Sequence, residues 1–350
     1  MIQGQSKTEA NYRAIQTDSS SSLKEFSMDR KKYYKKYVLL EKVEEKDNQA
    51  IKIGKLVETL LLEPHEFDNR FYMSACANVP TGLMLEFVEA LYRVTRDATD
   101  DFGVVTKTFE ELSRQAYLES GFKIKIEQVI GKFVGSDAEI YYNEIRQVRS
   151  RNLIVIDSND VNNAEKIVEE LRNNPVTAPA VNCINDIRYT VLNQYQIDHY
   201  EVCGHVFKSM FDKVIIDHEE QTFTVYDLKC TWTVENFYDE YYLYRRAYIQ
   251  AYLYWQAAQW IVNQPGSKWH GYTVEYPRFI VCDSTNYYNP LIYTVGNLDM
   301  DEAYFGFEHK GRKYPGVEEI IKDLDWALKE GIWNMSRRNY ENGGVINIRG

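Results

Sequence analysis

Asp212, Asp227 and Lys229 are the residues of this chain whose types and spacing could do chemistry. Two carboxylates beside one amine suit a hard divalent cation and an attacking water, and phosphodiester hydrolysis is the reaction that most commonly needs that set. Asp227 and Lys229 are two apart in a segment that reads as a strand. Side chains alternate along a strand, so the two share a face, about 7 Å apart at their α-carbons. Val225 shares it as well, whereas Tyr226 and Leu228 point the other way. Such a D-x-K triplet alone is weak, because a solvent-facing ion pair on an exposed strand has the same spacing.

The elements that must position these groups lie on either side. Residues 207–217 read as a strand, His218-Glu-Glu-Gln221 as its turn, and residues 222–231 as the return strand, which brings Asp212 within reach of the pair. A strand run begins at 197–203. Before it, 66–196 is mostly helical, with helices expected at 83–93, 109–120, 137–148, 164–172 and 181–194. Residues 49–62 form a helix stopped by Glu63-Pro64. Ser22 caps a short helix over 23–26, and a basic helix follows from 28 to 45. Downstream, 235–262 reads as one long helix, 269–283 as strand with a proline in it, 289–296 as a further strand and 317–333 as an amphipathic helix. The expectation is a mixed α/β core of order αβββαβ. It comprises 49–65 and 197–296, with a helical insertion at 66–196 and a C-terminal helix and tail at 297–350. Together these make a single domain over 21–350, behind a flexible segment at 1–20.

The chain has 350 residues, 44% hydrophobic and 27% charged, as in a soluble globular protein. Its net charge of −11 argues against non-specific coating of nucleic acid, although binding depends on where charge sits. Arg30, Lys31, Lys32, Lys35 and Lys36 alternate with tyrosines and are candidates for contacts to a DNA backbone; a solvated helix face is the competing reading. Five scattered cysteines show neither zinc-knuckle nor iron–sulfur spacing, which fits a reducing cytoplasm. No signal-like or membrane-length apolar run occurs, so no membrane is expected as a partner. The absence of a phosphate-binding loop argues against ATP-driven motor activity.

Helical geometry places Glu58 between Ile51, Gly54, Leu61 and Leu62, away from Lys52, Lys55, Thr59 and Glu63. A carboxylate on an apolar seam must be paired, protonated or metal-bound, and a salt bridge to a buried base is the plain alternative. Gly54, one turn earlier, lets that helix approach the strands closely. Gln250 and Tyr254 share a face with Ala247, Ala251 and Ala258, and core packing competes with a role in the site for Tyr254. Glu201 is a candidate supporting acid on the strand before Asp212, while His65 and His205 read as surface residues.

The spacing Asp212…Asp227-Leu-Lys229 resembles the PD-(D/E)xK nuclease superfamily. The wider pattern is similar to exodeoxyribonuclease VIII (RecE) and phage lambda-type exonucleases. Ser20-Ser-Ser-Leu-Lys-Glu-Phe26 with Tyr33-Tyr-Lys-Lys-Tyr37 resembles the family's opening helices. Gly54-Lys-Leu-Val-Glu58 with Leu61-Leu-Glu-Pro-His-Glu-Phe67 resembles its glycine-led helix, and residues 152–175 the helix pair before its catalytic strands. The hairpin and Gln250-Ala-Tyr-Leu-Tyr254 resemble its core and its Q-x-x-x-Y helix. Phe211 stands where the naming proline would be, and Glu58 where these nucleases usually carry histidine.

The resemblance implies a restriction-endonuclease-like core and a metal-dependent exonuclease acting on double-stranded DNA in recombination. Asp212 and Asp227 would hold Mg²⁺, with Mn²⁺ as a substitute, helped by Glu58 and the Leu228 carbonyl. Lys229 would orient or deprotonate water, its pKa lowered by burial and raised by the carboxylates, while Gln250 and Tyr254 would have positioning roles. A ring-shaped homo-oligomer, a single-strand annealing recombinase as partner and a cytoplasmic location, that of the host for a phage protein, are implied too. The alternatives are an endonuclease or nickase of the same superfamily, or a non-catalytic DNA-binding protein that retains the fold.

Overall fold

The hairpin that carries Asp212 and Asp227 lies inside a mixed sheet. A computed structural model describes residues 9–41, 49–285 and 289–346. Around the hairpin the elements are α1 (Ser20–Met28), α2 (Gln49–Leu62), β1 (Tyr189–Val202), β2 (His205–Asp217), β3 (Thr222–Thr231), α3 (Ala247–Asn263), β4 (Arg278–Asp283), β5 (Leu291–Thr294) and α4 (Val317–Glu330). The sheet runs β1-β2-β3-β4-β5, with the short Thr273–Val274 strand also on β3. β3 pairs parallel with β4 and with that short strand, and the other neighbours are antiparallel. The parallel pair requires a crossover, which α3 supplies. In chain order α2, β1, β2, β3, α3 and β4 give helix, three strands, helix, strand, in a mixed α/β fold.

The hairpin forms where its residues dictate. Phe207, Phe211, Val214 and Ile216 on β2 meet Phe223 and Val225 of β3 in one buried core. At the turn, Asp217 accepts the N–H groups of Glu219 and Glu220, and Arg188 donates to its carboxylate at 3.0 and 2.7 Å. This is the side-chain-to-backbone bonding that makes aspartate a turn former. α3 has apolar residues all round, and its first eight residues are all buried, as befits a central helix.

Several expected boundaries move. Residues 189–194, expected as the end of a helix, belong to β1; Tyr-Thr-Val-Leu alternates well enough to pair with β2 once Ile215 and Asp217 are opposite. The expected long helix 235–262 is broken. A π-helical stretch, Tyr238–Tyr244, precedes Arg246, whose φ of 55° is left-handed, and only then does α3 begin. That bend lets the Arg246 guanidinium donate to the Ser27 carbonyl at 2.7 Å. The cap of α1 is Ser19, in a reciprocal box with Ser22. The basic segment is short, with Arg30–Tyr33 α-helical and Tyr34–Val38 π-helical. Its expected continuation over 42–45 lies outside the described residues, as do residues 1–8 of the expected flexible segment. Part of that segment lies against β2. Lys208 donates to the carbonyls of Tyr12, Arg13 and Ile15, and Lys208 N–H bonds to Asp18.

The chain divides into two compact units, one built from residues up to Glu63 and from Asn163 onward, the other Pro64–Asn162. In the second, helices Gly82–Asp97, Phe109–Ser120, Ile126–Phe133 and Asp137–Arg151 enclose Phe87, Leu91, Val94, Phe133 and Tyr142. Its buried Glu144 carboxylate accepts from Ser74 Oγ and from the N–H groups of Ala75 and Cys76, which satisfies it within the fold. No helix among the described residues is long and apolar enough to cross a membrane.

Candidate active site

The β2–β3 ladder runs from Asp217 opposite Thr222 to Lys213 opposite Tyr226. Beyond that point the Asp212 side chain takes the place of the backbone, its Oδ2 accepting the Leu228 N–H at 2.8 Å. Asp227, the residue before Leu228, is 1% exposed. Its Oδ1 accepts from Gln250 Nε2 at 2.6 Å, and its Oδ2 forms an ion pair with the Lys229 ammonium. That Oδ2 is held by the ammonium through both charge and hydrogen bonding. Lys229 and Asp227 thus lie on one face of β3, as strand alternation requires.

α2 presents Glu58, whose Oε1 accepts from Gln194 Nε2 at 2.6 Å. Gln194 has a left-handed φ of 48°, between the pairs Asn193–Lys213 and Tyr195–Phe211 of the β1–β2 ladder. A non-glycine residue held in that region is uncommon, and such residues concentrate at functional sites. A Cβ on Gly54 would sit 3.4 Å from that of Cys230, so α2 does rest closely on β3. The buried face of α2 is rotated from the expected one. Thr59 is buried with Ile53, Leu56 and Val57, Ile51 is exposed, and Glu58 flanks the seam.

Charge couples these groups. Burial pushes the Asp212 carboxyl well above its usual range, and the charges of Asp227 and Glu58 push further against the opposing Lys229 ammonium and Leu228 N–H. Burial pulls Lys229 down, but Asp227, Asp212 and Glu58 outweigh it and hold its pKa above the ordinary lysine value. The charged ammonium form of Lys229 is therefore the favoured one in this arrangement.

Lys24 is the residue that sequence reasoning missed. Its Nζ donates to Gln250 Oε1 at 3.0 Å, so one amide links the amine of α1 to the carboxylate of β3. Burial, then the nearby charge of Lys229, lowers its pKa to about 8. Lys24 and Gln250 are 226 residues apart, and no local pattern announces such a contact.

Tyr254 stands beside the cluster, near enough for the charges of Asp227 and Asp212 and a hydrogen bond from Gln250 to act on it. Tyr254 gives its hydroxyl to the Met210 carbonyl at 2.9 Å and sets its ring edge-on to Phe211, so it pins α3 to β2. Glu201 is exposed beside the β1–β2 turn, opposite Val206, and does not join the acids. Among the basic residues Arg30 is ion-paired with Asp323, and Lys32 and Lys36 with Glu25, while Lys31 and Lys35 are exposed. Tyr34 stacks on Trp333 at 4.9 Å, so part of the aromatic pattern is packing. His65 is exposed as expected, but His205 is not a surface residue. It is held between Asp18 at 2.9 Å and Asp325 at 2.6 Å, with Tyr33 also on Asp18.

No group of three His, Cys, Asp or Glu side chains among the described residues stands in a metal-holding arrangement. The donor chemistry nonetheless fits a hard cation. Asp227 and Glu58 lie close enough to Asp212 to make its ionisation costly, and Asp227 and Glu58 accept from an ammonium and from amides, groups that stand where positive charge is wanted.

No protein-family model matches the sequence, and no curated protein is similar to it. Among solved structures, the fold is similar to a crystal structure from Eubacterium rectale provisionally described as an exonuclease. The two share 12% identity with a TM-score of 0.47, over 97% of this chain and 88% of that one.

Proposed function

We propose that this protein is a metal-dependent deoxyribonuclease of the PD-(D/E)xK type that hydrolyses phosphodiester bonds of duplex DNA, acting as a RecE-like exonuclease. The observation that carries the reading is the joining of Asp212 to the Leu228 N–H beside a buried Asp227–Lys229 ion pair. Asp212, Asp227, Glu58 and the Leu228 carbonyl would hold Mg²⁺ or Mn²⁺. Such an ion supplies an acidified water and charge stabilisation at the phosphoryl group.

The protein's own groups have separable tasks. Gln250 fixes the rotamer of Asp227 by donating to one oxygen, which leaves the other facing Lys229. Lys229, held as an ammonium, can donate to water or to a phosphate oxygen as negative charge develops. Lys24, with its pKa near 8, sits one amide away, where it can accept or give a proton close to neutral pH. Asp212 must lose its proton before it can ligate, and an incoming cation favours that loss.

Digestion of linear and covalently closed duplex DNA with Mg²⁺ tests the proposal. Shortening of linear DNA alone marks an exonuclease, and attack on closed circles marks the endonuclease alternative. Activity that survives both Asp227→Ala and Lys229→Ala would refute the mechanism. The annealing partner and the ring-shaped oligomer are parts of the same proposal; sedimentation of the purified chain tests the ring.

A further inference from the structure

Cys230 and Cys282 are 52 residues apart, yet the parallel pairing of β3 with β4 sets them directly opposite each other. Cys282 Sγ donates to the carbonyl of Lys229, the residue before Cys230, at 3.6 Å. Cys282 is buried, whereas Cys230 is partly accessible. Both are reduced here. Directly opposed residues on adjacent strands have α-carbons about 4.8 Å apart, inside the range a disulfide spans. Disulfides held away from their preferred geometry are strained, and strained disulfides are the easily reduced ones.

We propose that Cys230 and Cys282 form a reversible intrasheet disulfide when a hydroperoxide oxidises them. The Cys230 sulfur attacks the peroxide, the O–O bond breaks, and a sulfenic acid and an alcohol (water, from hydrogen peroxide) result. The Cys282 sulfur then attacks the Cys230 sulfur, forming the S–S bond and expelling the sulfenic oxygen as water. Two electrons pass from the thiols to the peroxide, and both thiol protons leave in the products.

The bridge would act where it matters. Cys230 follows Lys229 directly and lies beneath Gly54, the point at which α2 rests on β3. Drawing Cys230 toward Cys282 alters that contact, and α2 carries Glu58. Oxidation therefore couples to the acid cluster through the packing of one helix.

A peptide map of the full chain, alkylated without reduction after treatment with hydrogen peroxide, tests this. The expected result is a linked Cys230–Cys282 peptide lighter by two hydrogens and a fall in titratable thiols from five to three. Dithiothreitol should restore all five, and Cys230→Ser should give no link to Cys282. Both cysteines alkylated, or Cys230 driven to sulfinic acid without a link, would overturn the proposal, and the wild-type map decides even where a variant misfolds. Nuclease activity lost with the link and regained on reduction supports the coupling, and full activity of the linked form overturns it. The map needs no substrate, so a chain with no nuclease activity would sink the proposed function and leave this one to be judged separately.

Discussion

Gln250 donates to the buried carboxylate of Asp227 at 2.6 Å while its own carbonyl accepts from Lys24 at 3.0 Å. A single amide on α3 therefore joins a helix and a strand distant in sequence. Gln250→Leu should leave Asp227 Oδ1 and the Lys24 amine without that partner. Losing it in a buried site costs about 1–3 kcal/mol. Thermal unfolding should show the destabilisation, and cleavage should fall with it. A variant of unaltered stability would mean that water replaces the amide.

Lys229→Met removes the charge that balances a carboxylate buried to 1% exposure. Breaking one partner of a buried pair costs about 3–5 kcal/mol, because the other charge is stranded. The folded pKa of Lys229 is raised, so its contribution is present in full at neutral pH and is lost only above the ordinary 10.5. Denaturant melts of both proteins at neutral pH should show the loss, together with the disappearance of cleavage.

Asp212 has the opposite sign. Its folded pKa lies well above 3.8, so ionisation works against the fold, and stability falls as pH rises from the ordinary value to the folded one. Asp212→Asn should therefore raise the melting temperature at neutral pH, since an amide oxygen can still accept the Leu228 N–H, while activity is lost. Calorimetry with Mn²⁺ should show binding to the wild type that tightens with pH and releases protons, and weaker binding to the variant. A variant that melts lower than the wild type would contradict the assigned electrostatics.

How much of this was legible beforehand follows from locality. The hairpin was readable because alternation and an aspartate-led turn lie within one stretch, and Gly54 because the close approach it permits is a property of one residue. β1 was half misread, since residues 181–194 also carry apolar side chains at helical spacing and their pairing with β2 is set from outside. The kink at Arg246 has no glycine or proline to mark it. The basic run looked available because the acid that takes Arg30, Asp323, lies nearly at the other end of the sequence. Gln194 and Lys24 were invisible for the same reason: their partners are set by tertiary structure.

His205 supplies a pH prediction outside the acid cluster. Burial lowers its pKa, but the hydrogen bonds and charges of Asp18 and Asp325 outweigh this and raise it above 6.5. The stabilisation is complete below the ordinary value and fades as pH rises through the folded one. Compared with His205→Asn, the wild type should gain most in melting temperature at mildly acidic pH and progressively less toward alkaline pH. A gap that widened with pH would show that the imidazole is held neutral.

Gly316 tests packing apart from the site. An added Cβ would lie 2.2 Å from the Tyr304 carbonyl oxygen and 2.4 Å from the Gly306 nitrogen, both main-chain atoms. Gly316→Ala should cost about 1–3 kcal/mol, as overpacking does. A melting curve matching the wild type would mean that this turn yields without cost.

The ring of Trp333 against Phe26 and Tyr34, and the Arg30–Asp323 pair, seat α1 and the segment after it on residues made hundreds of positions later. During synthesis on the ribosome, the hairpin with both its acids can close as soon as residues 205–231 emerge, whereas Lys24 must wait for α3 and α4. Distant contacts form late and slowly. A nascent chain thus has the Lys24 amine early but nothing to dock it on until Gln250 has been made and packed, and so begins life without a finished centre.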